Sequence, residues 1–234
     1  SSVITAHQAF VDAGAQVITT NSYAVVPFHI GEERFATCGA ELIALSGQLA
    51  QKVKESTSQN IKVAAGIPPV FGSYSPGDFV TADAVTMLEV FKQHLLPFTD
   101  IVLAETQSSI DEVTTIQKVF ADCGQPLWIS MTLEDETESP DPRLRSGELL
   151  SDALSAINLD QVEAILFNCS QPEVMAAAVA LSAECLPSNI GIGVYANGFR
   201  PISNTIQAND GYSTLREDLT PQDYLEFARQ WKAL

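Results

Sequence analysis

Ala164-Ile165-Leu166-Phe167-Asn168-Cys169-Ser170-Gln171-Pro172 is the stretch on which the fold turns. Four apolar residues stop abruptly at Asn-Cys-Ser, and a helix-like segment follows. A short, fully apolar run reads as a strand buried on both faces. Pro172 suits the first turn of the next helix, where its missing N–H would have no partner anyway. Cys169 then stands at the C-terminal tip of a buried strand, and in a β/α barrel that end is where chemistry is done.

The same unit repeats in both directions along the chain. Downstream, residues 189–195 read as a strand, 198–219 as a polar irregular stretch, and Thr220-Pro221 as the N-cap and first turn of a helix through Trp231. Upstream, 126–131 is a strand, followed by a long acidic loop at 134–142 and a helix at 149–157. Residues 101–105 form a strand and 110–120 a helix. Residues 61–66 form a strand, 68–77 a Gly/Pro-rich loop and 82–96 a helix. In a further helix, Phe35, Cys38, Leu42, Leu45, Leu49 and Val53 recur at spacings of three and four and predict its buried face. Before it come a loop to about Glu32, a strand at 15–20, and an opening helix at 3–13 that Gly14 closes.

Alternating β and α units imply a parallel sheet of short apolar strands. Six strands, with an orphan helix at each end, predict an α/β fold of the (β/α)8 barrel type. Six β/α units are visible, the first and last strands fall outside this chain, and residues 1–234 form one barrel domain, incomplete at both ends. The competitor is a doubly wound open sheet. Against it, no strand runs into a G-x-G-x-x-G or P-loop turn.

The composition narrows the function. The chain has 234 residues, 29 acidic against 12 basic, and a formal net charge of −17. Such a surface repels a phosphate backbone and anionic lipid, so nucleic-acid and membrane partners are not expected. No apolar run approaches the roughly 18 residues needed to span a bilayer, and no signal peptide opens the chain. The four cysteines are widely spaced and lack a C-x-x-C pairing, as expected of reduced, cytoplasmic thiols.

Five strand tips end in polar or reactive residues: Thr20-Asn21, Glu105-Thr106, Ser130, Asn168-Cys169 and Tyr195-Ala196-Asn197. One such tip is ordinary loop-entry chemistry; in a barrel the five converge on a single rim. Glu105 follows four apolar residues, and a carboxylate there is costly unless paired or used. It either holds a substrate ammonium or bonds to backbone amides at the next helix start. Cys169 carries three readings: a metal ligand, a nucleophile, or an apolar rim residue. A nucleophile wants a histidine base, and His7, His29 and His94 lie on helices or in a loop rather than at strand tips. A Schiff-base lyase would need a strand-tip lysine, and none is present.

Taken together, these motifs resemble the homocysteine S-methyltransferase family of zinc-dependent β/α barrels. His7 through Tyr23, H-Q-A-F-V-D-A-G-A-Q-V-I-T-T-N-S-Y, is similar to that family's H-x-x-Y/F-x-x-A-G-A-x-x-I-x-T-N-T/S-Y segment. Val63-Ala64-Ala65-Gly66 with its Pro/Gly/Tyr loop resembles the third-strand segment. Glu105-Thr106, Trp128-Ile129-Ser130, Asn168-Cys169 with Pro172, and Tyr195-Ala196-Asn197 resemble further strand ends. The resemblance implies transfer of a methyl group from a sulfonium donor, S-methylmethionine or S-adenosylmethionine, to the thiol of homocysteine, giving methionine. It implies a zinc ion (Zn2+) held by three thiolates, of which Cys169 matches one. It also implies that Glu105 binds the substrate amino group and that Asn21 and Asn168 line the same pocket. The chain departs from the pattern at Leu166, where glycine is frequent, and at Gly66-Ile67-Pro68-Pro69. It lacks the G-G-C-C segment that supplies the other two thiolates, so zinc is expected in the intact protein and not in this chain. The alternative is a degenerate barrel of the same family serving as a binding or structural module. Missing barrel strands would leave open sheet edges, which predicts disordered termini or compensating contacts such as a homo-oligomer.

Overall fold

Each of the six apolar runs forms a strand, and all six lie parallel in one sheet in chain order. The structure, a computed structural model, describes residues 1–135, 141–200 and 214–234. Parts of the acidic loop at 134–142 and of the irregular stretch at 198–219 lie outside the described residues. The strands are β1 (Val17–Thr19), β2 (Lys62–Ile67), β3 (Ile101–Gln107), β4 (Leu127–Met131), β5 (Val162–Asn168) and β6 (Gly191–Tyr195). The helices are α1 (Ser2–Asp12), α2 (Pro27–Ile30), α3 (Glu32–Ser56), α4 (Thr81–Leu95), α5 (Ile110–Phe120), α6 (Leu150–Ala156), α7 (Pro172–Cys185) and α8 (Pro221–Ala233). The result is a curled half-barrel with helices alternating around it, a partial TIM-type barrel. Among the described residues, β1 and β6 each have a single hydrogen-bonded neighbour.

Strand parity sorts the side chains into two layers, because successive residues point to opposite faces. The outer layer meets the helices. Ala65 and Ile67, Val102 and Ala104, Ile129 and Met131, and Ile165 and Phe167 join Leu88 and Phe91 of α4 and Val113, Ile116 and Phe120 of α5 in the main core. Burying each large side chain contributes roughly 1.5–3 kcal/mol. The inner layer is a smaller cluster of Ala64, Ile101 and Leu103, with Val17, Trp128 and Leu166 packed against it. Leu166 takes the space a side chain on Gly193 would need, since a Cβ there would lie 2.5 Å from its Cδ2.

Two local expectations are corrected. The stretch before α3 is not simply a loop: Pro27–Ile30 forms a helical turn that includes His29. The buried face of α3 is also rotated one position from the one its large residues suggest. Gly39, Ile43, Ser46, Gly47, Ala50 and Val53 are buried, whereas Leu45 is exposed. Small residues let the helix approach closely; a Cβ on Gly47 would sit 2.9 Å from Phe98. The terminal signals behave as read. Gly14 follows the α1 C-cap with φ +99°, and Thr220 caps α8 in a reciprocal box with Asp223.

Candidate active site

The inner parity brings Thr19, Gly66, Glu105, Ser130, Asn168 and Tyr195 to the C-terminal mouth of the half-barrel. Asn168 is the centre of this group and is fully buried. The Thr106 N–H (3.1 Å) and the Ser130 hydroxyl (2.7 Å) donate to its Oδ1. Its Nδ2 donates to Thr106 Oγ1 (2.7 Å) and to Cys169 Sγ (3.2 Å). A side-chain amide offers two donors and two common acceptor positions, so all four are used, tying β3, β4 and β5 together at their tips.

Cys169 follows with φ +53°, Thr106 has φ +60° and Tyr74 has φ +65°. These are the non-glycine residues with positive φ among the described residues. The left-handed region costs each of them about 1–3 kcal/mol, a strain found where surroundings over-determine the backbone. The three also meet: the Thr106 hydroxyl points to Cys169 Sγ at 3.7 Å, and the Tyr74 hydroxyl donates to the Cys169 carbonyl at 3.5 Å. Burial pushes the Cys169 thiol pKa up, and the neighbouring Glu105 charge adds to this. The Thr106 and Tyr74 hydroxyls and Arg145 pull the other way.

Glu105 and Tyr195 border a cavity of 880 Å³ whose remaining wall is α1 and β1 with its flanking residues, among them His7, Phe10, Thr20 and Asn21. Burial raises its carboxyl pKa, and Tyr195 partly offsets this. The Tyr195 hydroxyl is buried beside Glu105 and Ser130 without a well-formed hydrogen bond. The backbone amides that start α5 are served by other carboxylates. Glu112 accepts from Ser108 and Ser109, and Glu148 accepts from Ile110. The carboxylate of Glu105 is therefore not a helix cap. Gly66 lies beside it and makes room for Thr19: a Cβ there would meet Thr19 Cγ2 at 2.9 Å, while Glu105 Oε2 at 3.5 Å would be an ordinary contact.

The site residues expected from sequence thus divide. Glu105 and Asn21 border the cavity, Asn21 at its exposed lip. Asn168 faces the protein, and Cys169 stands beside it at the rim. Several neighbours were not singled out as site residues. Tyr23, whose hydroxyl pairs with Ser73 at 2.5 Å, and Tyr74 follow β1 and β2 in loops that carry little periodic signal. Arg145 reaches the rim from the β4–α6 connection. Its only mark in the sequence is being one of few basic residues in an acidic chain.

The family model described as homocysteine S-methyltransferase matches residues 1–234. The chain belongs to the homocysteine S-methyltransferase family. Among solved structures, the homocysteine methyltransferase MmuM from Escherichia coli is similar in three forms. Its oxidized form matches with a TM-score of 0.75 and 22% identity, over 99% of this chain and 76% of that one. The metallated form gives 0.68 and 24%, over 82% and 70%, and the apo form 0.65 and 21%, over 83% and 79%. At these identities the likeness speaks for the fold. No curated protein sequence matches the chain.

A metal is therefore a natural question for this mouth. Among the described residues, no group of three or more His, Cys, Asp or Glu side chains could hold a metal ion. A catalytic zinc site keeps three protein ligands and an open position. Cys169 is one thiol at the rim, while Cys38 and Cys185 lie in helices and Cys123 just beyond one. The described residues do not by themselves fit a zinc centre.

Proposed function

We propose that the protein transfers a methyl group from a sulfonium donor, S-methylmethionine or S-adenosylmethionine, to the thiol of homocysteine, giving methionine. What carries this reading is Glu105, an inward carboxylate at the strand end of a family barrel, opening onto a cavity wide enough for an amino acid. The substrate ammonium would ion-pair with Glu105, and Asn21 would contact the ligand at the cavity lip. The substrate sulfur would lie toward Cys169. Asn168 would act through Thr106, Ser130 and Cys169, holding three strand tips in register under the reacting atoms. In the transfer, the thiolate lone pair forms the new S–CH₃ bond. The donor's S–CH₃ bond breaks with its electron pair returning to sulfur, so a neutral sulfide leaves. The tyrosines at the mouth, Tyr23, Tyr74 and Tyr195, are held neutral by burial, which pushes each hydroxyl pKa up.

Zinc enters this reading only through Cys169, as one of three thiolates that the described residues do not complete, and no step above is routed through it. The one-thiol mouth is also what favours the second reading, a family barrel that binds an amino acid without transforming it. Incubating the protein, with and without added Zn2+, with homocysteine and each sulfonium donor, and following methionine by mass spectrometry, separates the two. Methionine formation that is lost in Glu105→Gln and Cys169→Ser supports the enzyme. Calorimetric binding of homocysteine with no methionine formed supports the binding module.

A further inference from the structure

We infer that Arg145 is a positioning residue: with Asp135 it latches the β4–α6 connection onto the rim and fixes the backbone of Cys169. The inference rests on the proposed function for the importance of that thiol, and on the following geometry for the latch itself.

Arg145 and Asp135 form an ion pair at 2.7 Å with side chains 4% and 2% exposed. A pair this deep is justified only when further hydrogen bonds engage its members, and both members make them. Arg145 Nη2 also donates to the Cys169 carbonyl at 3.3 Å, and Nε donates to Thr132 Oγ1 at 3.3 Å. The guanidinium carbon lies 4.5 Å from the centroid of the Tyr74 ring. The other oxygen of Asp135 accepts from the Gln171 N–H at 2.8 Å, at the N-cap of α7. One planar fork thus touches two of the three left-handed residues, Tyr74 and Cys169. Its partner carboxylate holds the chain two residues beyond Cys169. Ser170 closes the gap between them, accepting from the Leu133 N–H at 2.7 Å. Among the described residues, the Cys169 carbonyl is otherwise held by the longer Tyr74 contact alone, so without the fork the strained φ can relax.

Arginine and lysine separate positioning from simple charge pairing. Lysine can keep the ion pair with Asp135, but it lacks the planar fork that reaches the carbonyl and stacks on the ring at once. The test is the alkylation rate of Cys169 by iodoacetamide at fixed pH, resolved by peptide mass spectrometry. Cys123 serves as the internal reporter of general loosening. In Arg145→Lys we expect Cys169 to react at least roughly tenfold faster, the effect of losing one charge-assisted hydrogen bond. Cys123 should stay within about twofold and the melting temperature close to wild type. Tyr74→Phe, which removes only the hydroxyl, should give a smaller rise of the same kind. A wild-type Cys169 rate in Arg145→Lys overturns the inference, as does a rise matched by Cys123. Where wild-type protein makes no methionine, the proposed function fails while the alkylation result still decides the latch. Where methionine is made, Arg145→Lys should lower kcat with little change in the KM for homocysteine.

Discussion

Replacing Glu112 by glutamine tests the physics of the turn that carries Glu105 and Thr106. Glu112 sits at N3 of α5, is 4% exposed, and forms a reciprocal box with Ser109 while accepting the Ser108 and Ser109 amides. Burial raises its pKa from 4.5 to about 7, with the Glu148 charge pushing the same way and the two amides opposing. The folded protein therefore holds the Glu112 proton more tightly than the unfolded chain does. The stabilisation from that proton is complete below pH 4.5 and is lost as pH rises through 7. At 1.36 kcal/mol per pH unit, the loss between pH 4.5 and 8 is about 3 kcal/mol. Glutamine keeps an accepting oxygen for the amides and cannot ionise. Urea unfolding of both proteins across pH 4–8, followed by Trp128 and Trp231 fluorescence, gives the stability difference at each pH, in which the other titrating groups cancel. Wild type should lose ground to the variant steadily between pH 4.5 and 7 and level off above. A pH-independent difference, or one that moves in favour of wild type as pH rises, would show that the amides outweigh burial and refute the reasoning.

Other substitutions probe the mouth directly. Glu105→Gln should weaken homocysteine binding by roughly 10- to 100-fold, as loss of a charge-assisted contact does. Because burial raises the Glu105 pKa, wild-type affinity should strengthen as pH climbs through that pKa, and the variant's should not; calorimetry across pH reads both. Asn168→Ala strands the Thr106 N–H and leaves Ser130 without its acceptor, so it should cost about 2–4 kcal/mol in chemical unfolding. Gly66→Ala drives a methyl against the stiff Thr19 side chain and should cost about 1–3 kcal/mol. Gly193→Ala meets only the flexible end of Leu166 and should stay within about 1 kcal/mol of wild type in the same measurement.

How much the sequence disclosed follows from which interactions are local. The strand read at 164–168 announces itself because burial on both faces favours the apolar run Ala164–Phe167; the structure starts it two residues earlier, past the exposed Glu163. The helix cap at Thr220 was legible because its partner Asp223 is only three positions away. The buried face of α3 escaped because close approach to Phe98 selects Gly47, and because the buried Ser46 beside it is polar, so neither enters a hydrophobic pattern. At the mouth, Glu105 and Cys169 were legible as polar residues ending apolar runs. Arg145 was not. Its contacts to Asp135 and Cys169 span 10 and 24 residues of chain, and no periodicity records a partner across that distance.

Asn168 makes four hydrogen bonds to three other residues and has none to spare. Residues joined in one such network do not respond independently to substitution. A change at Thr106, Ser130 or Cys169 alters what the amide can satisfy elsewhere, so paired variants at this mouth will be strongly non-additive. If the proposed function holds, new acceptor specificity would be reached more readily from the cavity lip around Asn21, where a side chain is exposed and makes none of these bonds. The four-way amide leaves the periphery as the part of this mouth that can change one residue at a time.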